Sequence, residues 1–269
     1  MKQTLPRLWG NDALRARFAG DILARRLSHA YILEGKYGLG KHTLALQLAA
    51  AQSCLCKDDE SLPLPCGTCK NCKKILEGKS PDVIWVSREK GKTQLTGDAV
   101  RHLRTDVLTA PNDLDTKVYI IEDAHTMNAQ AQNALLLTLE EPPAYVLFLL
   151  LCEDASNLLE TIRSRCVVLT LAPVRNEDAE KFFEKNEFSK YTVQQKRAAI
   201  SLSEGFLGKA IDILEGNTFD LYSACENFTN ACLDGAVGEA MKISSFKTRD
   251  ELKDFVRTLS VYVSARIRS

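Results

Sequence analysis

A glycine-rich segment, Gly35-Lys-Tyr-Gly-Leu-Gly-Lys-His-Thr, has the spacing of a phosphate-binding loop. It follows a short apolar stretch at 30–33 and precedes a helical pattern, which is the context that such a loop requires. Gly35, Gly38 and Gly40 allow a tight turn whose N–H groups face a phosphate, and Lys41 adds a positive charge at the start of the helix. The segment therefore predicts a nucleotide site, and an ordinary strand-to-helix turn is the alternative.

The residue after Lys41 departs from the motif. A serine or threonine hydroxyl normally ligates Mg²⁺ there, but this chain has His42. Magnesium prefers oxygen ligands in a tight octahedron, and Thr43 comes one residue late on the helix. Thr43 stays a candidate contact to the nucleotide. We expect ATP or ADP to bind weakly and metal-assisted hydrolysis to be impaired.

Two acids end a predicted strand at 118–121. Glu122 precedes Asp123, whereas ATPases of the AAA+ class usually place Asp before Glu. Each side chain differs from the usual one by a methylene, which moves its carboxylate by about 1 Å, and such displacements can cost about 10²-fold in rate. Both acids are candidate nucleotide-site residues in a weakened hydrolytic site, and solvated acids at a strand end are the alternative.

Three cysteines, Cys66, Cys69 and Cys72, are separated by gaps of two residues, and Cys54 and Cys56 precede them. Four thiolates satisfy a tetrahedral structural zinc site. The spacing predicts structural zinc over an iron–sulfur cluster or incidental thiols, with either upstream cysteine as the fourth ligand. No catalytic base lies nearby in the sequence, so no chemistry is expected of this metal.

These motifs must be positioned by alternating elements. Apolar strands are predicted at 30–33, 83–86, 118–121, 146–151 and 167–171. Helical patterns separate them at 11–26, 44–54, 100–108 and 128–140. This alternation predicts an α/β fold with a parallel sheet covered on both faces. After Pro173 the sequence indicates only helix and turn.

Composition excludes some classes of protein. The 269 residues are 45% hydrophobic and 26% charged, and 35 Lys+Arg balance 35 Asp+Glu. Zero net charge argues against a strongly basic, stand-alone nucleic-acid binder. No apolar run approaches about 18 residues and the N-terminus has no apolar signal core, so we expect no membrane span and a cytoplasmic protein.

Several further motifs occur together with these. They are Ser28-His-Ala-Tyr-Ile-Leu, Ser80-Pro-Asp, Lys117-Val-Tyr-Ile-Ile-Glu-Asp-Ala, Asn133-Ala-Leu-Leu-Leu-Thr-Leu-Glu-Glu-Pro-Pro and Ser164-Arg-Cys. Over residues 8–217 the sequence resembles the bacterial DNA polymerase III clamp-loader subunits of the AAA+ class, and the delta-prime type most closely. The resemblance implies a P-loop domain at 1–171 with a zinc module at about 54–72. A helical lid at 172–217 and a helical collar segment at 218–269, too short to be complete, would follow.

The resemblance also implies roles for single residues. Cys54 is preferred over Cys56 as the fourth zinc ligand. Arg165 matches an arginine finger that acts on a neighbour's ATP, and Arg163 is a weaker candidate. Cys152 stands at the sensor-1 position, and Gly208 falls where active subunits carry the sensor-2 arginine.

The implied function is a largely non-hydrolysing subunit that helps place the sliding clamp on primed DNA. Its partners would be the gamma/tau and delta subunits, the clamp and, within the complex, DNA. An active ATPase of the gamma/tau type is the first alternative. A zinc-dependent nucleic-acid-binding module with a vestigial nucleotide fold is the second.

Overall fold

The computed structural model describes residues 4–89, 91–216 and 218–236, and then the single positions 238, 252, 255, 256, 259, 260 and 263. The chain divides into two compact units, Met1–Ala172 and Pro173–Ser269. Within the described residues, no helix combines the length and apolar character needed to cross a membrane.

The first unit is built on a parallel sheet of five strands in the order β2-β3-β4-β1-β5. The strands are β1 (Ala30–Glu34), β2 (Val83–Val86), β3 (Lys117–Ile121), β4 (Val146–Cys152) and β5 (Val167–Thr170). Strands β3 and β4 are buried along their whole length, as expected for central strands covered on both faces. The predicted α/β fold class is confirmed.

Six helices accompany the sheet. They are α1 (Asp12–Leu23), α2 (Lys41–Gln52), α3 (Lys70–Leu76), α4 (Gly97–Asp106), α5 (Ala129–Glu140) and α6 (Glu160–Arg163). The Asn128 side chain caps α5 by accepting the N–H of Ala131, and Pro142 and Pro143 follow its end. Helix α3 was not predicted, because it lies inside the cysteine-rich segment where turn residues hide its short pattern.

Strand β1 leads directly into the glycine-rich loop at the carboxyl end of the sheet. It pairs with β4 on one side and with β5 on the other, so that Glu34 lies opposite both Cys152 and Thr170. The Glu34 carboxylate accepts the N–H of Ala155 and the hydroxyl of Thr170, both at 2.8 Å. These bonds fix the carboxyl end of the sheet, from which the glycine-rich loop departs.

The second unit is helical in its described part. Its helices are α7 (Asn176–Glu184), α8 (Val193–Ser203), α9 (Leu207–Glu215) and α10 (Thr218–Leu233). Gly205 has φ of 85°, and a Cβ there would lie 2.4 Å from the carbonyl oxygen of Val174, so this turn requires glycine. The division into a lid at 172–217 and a collar at 218–269 stays a prediction, and most of 237–269 lies outside the described residues.

Candidate nucleotide loop and metal centre

The glycine-rich loop joins β1 to α2. Gly38 and Gly40 both have φ of 89°, a left-handed conformation that side-chain-bearing residues rarely adopt, and Gly40 immediately precedes the first turn of α2. Gly35 donates its N–H to the carbonyl of Cys152 at 3.0 Å. The loop therefore has the turn that the sequence predicted, but the N–H of Gly35 is used by the sheet.

Lys41 is the first residue of α2 and is 8% exposed. Its ammonium donates to the carbonyl oxygens of Gly35 and Lys36, which it holds together across the loop. Burial lowers the pKa of Lys41, against the opposing effects of Glu153, Cys152 and Asp123. Thr43 lies half-buried in the first turn of the same helix.

His42 contacts the first of the two acids. Its Nε2 lies 3.0 Å from Oε1 of Glu122, which directly follows β3. The imidazole also stacks on Trp85 of β2, with ring centroids 5.7 Å apart and planes inclined by 12°. The side chain at the usual metal-ligand position is therefore hydrogen-bonded to the acid that should help orient the metal.

Asp123 has a different partner. It adopts a left-handed conformation with φ of 46° at the turn after β3, and its Oδ2 lies 2.6 Å from Nη2 of Arg88. Arg88 follows the neighbouring strand β2 and also donates to the carbonyl of Thr93 at 3.3 Å. Each of the two carboxylates thus has a nitrogen donor supplied by the protein itself.

Magnesium, which P-loop folds generally use, does not fit these residues. The ion needs hard oxygen ligands, and the position that normally supplies a hydroxyl carries an imidazole. Cys152, at the end of β4 beside the loop, is 1% exposed, and burial raises its pKa to about 12, so it stays a neutral thiol. The described loop therefore offers phosphate contacts without a magnesium ligand set.

The cysteine cluster is geometrically complete. The sulfur atoms of Cys54, Cys66, Cys69 and Cys72 all lie within 4.8 Å of one another, and those of Cys66 and Cys72 are 3.9 Å apart. Zn–S bonds of about 2.3 Å place the thiolates of a tetrahedron about 3.8 Å apart. The four thiols fit zinc, and Cys56 is not a member of this group among the described residues.

Backbone donors prepare one thiol for a metal. Burial opposes ionisation of Cys66, but the N–H groups of Cys69 and Thr68 outweigh it and lower the pKa of Cys66 to about 6. Burial raises the pKa of the Cys54 and Cys72 thiols. A bound cation would stabilise the thiolate form of these buried thiols, so metal binding is coupled to their deprotonation.

The cluster is tied to the α/β core at both of its ends. Cys54 comes two residues after α2, and Cys69 caps α3 by accepting the N–H of Cys72 at 3.5 Å. The Asn71 side chain donates to the carbonyl of Ser53 at 2.9 Å. Nζ of Lys74 on α3 lies 2.6 Å from Oδ2 of Asp113, which belongs to a loop before β3.

The loop at 112–114, which contains Asp113, is anchored by Asp82, and Asp82 is fully buried. Its carboxylate accepts the backbone N–H groups of Asn112, Asp113 and Leu114 at 2.7, 2.7 and 2.9 Å. Burial would raise the pKa of Asp82, but these donors outweigh it and hold the pKa below its usual range. Asp82 therefore organises the loop that the metal module contacts.

Arg165 lies between α6 and β5, and its side chain is 35% exposed. Its Nη2 lies 2.7 Å from Oε1 of Glu140 at the end of α5, and its Nη1 donates to the carbonyl of Thr161 at 3.0 Å. The predicted alternative Arg163 is half-buried on α6.

Sequence reasoning missed the partners of the predicted residues. It identified His42, Glu122, Asp123 and Arg165. It did not identify their partners Trp85, Arg88 and Glu140, because each of these lies in a different part of the sequence from the residue it contacts. A signal existed for Arg88 alone, since residues that follow neighbouring parallel strands meet at one sheet edge.

Comparison with known proteins places this geometry in a family. A family model described as DNA polymerase III, delta subunit, matches residues 10–175, which is more than half of the chain. The chain belongs to this DNA polymerase III subunit family. The match covers the sheet, the glycine-rich loop, the cysteine cluster and Arg165.

Three curated relatives show how broadly the family resemblance extends. The chain is 32% identical to DNA polymerase III subunit tau of Salmonella typhimurium, over 79% of this chain and 32% of the relative. It is 33% identical to subunit delta' of Escherichia coli, over 76% and 59%, and 38% identical to delta' of Bacillus subtilis, over 56% and 44%. The chain thus spans about a third to three fifths of these relatives.

A solved structure supports the fold. A RuvB variant from Thermotoga maritima matches 96% of this chain and 72% of its own, with a TM-score of 0.53 at 14% identity. The predicted membership of the clamp-loader subunit family of DNA polymerase III is confirmed by the family model and the relatives, and the RuvB likeness supports the fold. The names delta', tau and gamma all occur among the relatives, so subunit type is a separate question.

Proposed function

We propose that the chain is a delta-prime-type clamp-loader subunit that hydrolyses little or no ATP itself and supplies Arg165 to a neighbouring ATPase subunit. Gamma/tau and delta subunits, the sliding clamp and primed DNA are its partners in this proposal, and a structural zinc ion holds the Cys54–Cys72 module. The observation that carries the proposal is the pairing of both loop acids, Glu122 with His42 and Asp123 with Arg88.

The hydrolytic groups are replaced one by one. His42 stands where a magnesium hydroxyl belongs, the acids come in reversed order, and the buried thiol of Cys152 stands where a polar sensor belongs. Gly208 on α9 has no side chain with which to contact a phosphate. A subunit with these replacements contributes to the complex through another surface.

Arg165 is suited to that role. A guanidinium reaching a γ-phosphate stabilises the charge that develops in phosphoryl transfer, and such fingers contribute roughly 10³–10⁵ in rate. The arginine lies at the edge of the domain with part of its side chain exposed, and Glu140 holds one nitrogen. Because exposed ion pairs contribute about 0–1 kcal/mol, exchanging Glu140 for a phosphate costs little.

The test uses the reconstituted complex. Arg165→Ala is expected to lower its ATP turnover and its clamp loading by about tenfold or more, while zinc content, thermal stability and assembly stay nearly unchanged. Arg165→Lys restores little, because an ammonium lacks the planar, bidentate geometry of the guanidinium. Arg17→Ala is the matched control, since Arg17 also forms an exposed ion pair, with Asp21 at 3.7 Å.

Normal clamp loading by the Arg165→Ala complex would exclude the arginine-finger role. The gamma/tau alternative rests on the tau relatives that match 79% of the chain. Steady-state ATP hydrolysis by the isolated chain separates the two, with Lys41→Ala as the control. Robust turnover that Lys41→Ala abolishes would favour the gamma/tau type.

A further inference from the structure

We infer that the glycine-rich loop takes a nucleoside di- or triphosphate free of divalent cation, because His42 and Arg88 occupy the carboxylates on which a metal would depend. The inference rests on the weak ATP or ADP binding that the glycine-rich loop predicts, which goes with the proposed non-hydrolysing role, and it does not depend on Arg165. It concerns which form of the nucleotide the loop accepts.

The hydrogen bond between His42 and Glu122 occupies one potential metal-ligand atom on each side chain. A carboxylate oxygen accepts, so the contact between Nε2 of His42 and Oε1 of Glu122 requires the hydrogen on Nε2. A nitrogen that carries this hydrogen has no lone pair for a metal. Stacking on Trp85 holds the ring in this orientation, so the imidazole and the carboxylate satisfy one another.

The second acid is compensated by charge. The guanidinium of Arg88 lies 2.6 Å from the carboxylate of Asp123, and Arg stays protonated at every pH at which the chain folds. A magnesium ion placed at this edge would meet that fixed positive charge and would compete with it for the carboxylate. The local charge that usually attracts the metal is already neutralised.

Phosphate contacts remain at the loop. Lys41 supplies a full positive charge, and the start of α2 supplies N–H groups and the positive end of the helix dipole. These groups act on phosphate oxygens directly and need no bridging ion. Magnesium complexed to the nucleotide would bring a second cation toward Arg88, which already holds the Asp123 carboxylate, and this disfavours the complexed form.

The experiment titrates ADP and ATP into the zinc-loaded full chain by calorimetry, first without divalent cation and then with increasing MgCl₂. Chelators are left out, because they would strip the zinc. For the natural chain we expect Mg²⁺ to tighten binding by less than about twofold or to weaken it. His42→Thr restores the hydroxyl and frees Glu122, so Mg²⁺ should tighten its binding by about fivefold or more.

His102→Thr is the matched control, since His102 is exposed on α4, and it should behave like the natural chain. A direct readout of metal is Mn²⁺-induced relaxation of water protons, which should show nucleotide-dependent Mn²⁺ binding in His42→Thr alone. Binding by the natural chain that Mg²⁺ tightens about fivefold or more overturns the inference, and so does the absence of nucleotide binding in every buffer. Both outcomes are distinct from an Arg165 failure, which appears only in the complex.

Discussion

The cysteine cluster and the glycine-rich loop are two sites built on opposite ends of the same helix, α2, and they treat their donor atoms differently. In the cluster, four sulfur atoms converge within 4.8 Å of one another. At the loop, the acids that a metal would use are each bonded to a protein cation or imidazole. The chain thus contains one cluster whose sulfur atoms fit a zinc ion and one loop whose acids are bonded to other side chains of the protein.

The comparison shows how a metal site is recognised. Residue types at the right spacing are present in both regions, so spacing alone does not separate them. What separates them is whether the ligand atoms already have partners inside the protein. The cysteine sulfurs converge on one point, whereas the His42, Glu122 and Asp123 side chains are partly exposed and each is bonded to another side chain of the protein.

The largest expected effect tests the cluster. Cys69→Ser should lower the zinc content from about one ion per chain to near zero and destabilise the domain, because the binding energy of a structural zinc is folding energy. Zinc is measured by release with a thiol-reactive reagent, and stability by thermal unfolding. Cys56→Ser is the control and should keep its zinc, since Cys56 lies outside the group of four. If Cys69→Ser kept about one zinc ion per chain, the four thiols would not be the metal ligands and the contrast between the two sites would fail.

A smaller effect is expected where the module meets the sheet. Asp82→Asn replaces an acceptor of three backbone N–H groups by an amide and should cost about 2–4 kcal/mol of unfolding free energy. Because the folded-state pKa of Asp82 is lowered, its ionised form stabilises the fold above the unfolded value of about 3.9, and this is lost as the pH falls through the folded pKa.

Urea unfolding at several pH values measures both parts of this prediction. The natural chain should lose stability more steeply than Asp82→Asn as the pH falls from about 5 to about 3. Asp12→Asn removes an exposed acid of α1 and should keep the slope of the natural chain. Equal slopes for Asp82→Asn and the natural chain would show that the backbone donors do not lower the pKa of the Asp82 carboxyl in the folded state.

The smallest effect is expected at the loop. His42→Thr removes an exposed contact to Glu122 and a stacking contact to Trp85. It should lower the free energy of unfolding by about 1 kcal/mol or less. Urea unfolding of the zinc-loaded chain measures the change. A loss as large as that of Asp82→Asn would mean that the pair holds the fold together, which would erase the contrast between the two regions.

Most of the fold was predictable because its signals are local. Continuous apolar runs located all five strands, and Asn128 with Pro142 marked the ends of α5. Helix α3 was missed because Cys69 caps it, Cys72 lies within it, and its seven residues include too few apolar positions to show a helical period.

The chemistry of the site was less predictable than its location. His42 marked the loop as unusual by type alone, but its bond to Glu122 joins residues 80 positions apart and depends on strand order. Likewise, the spacing left Cys54 and Cys56 open and the family resemblance favoured Cys54, and in the structure the Cys54 sulfur lies with the other three. Contacts between residues on different strands cannot be read from one short stretch of sequence.

The position of β1 between β4 and β5 also sets an order of events during synthesis. Its neighbours β4 and β5 begin more than a hundred residues later in the chain, so β1 leaves the ribosome with both edges unpaired. At the usual speed of translation, about 5–20 residues per second, it waits on the order of ten seconds for its partners. Glu34 and Gly35 are bonded to Thr170 of β5 and Cys152 of β4, so we expect the glycine-rich loop to be among the last parts of the first unit to form.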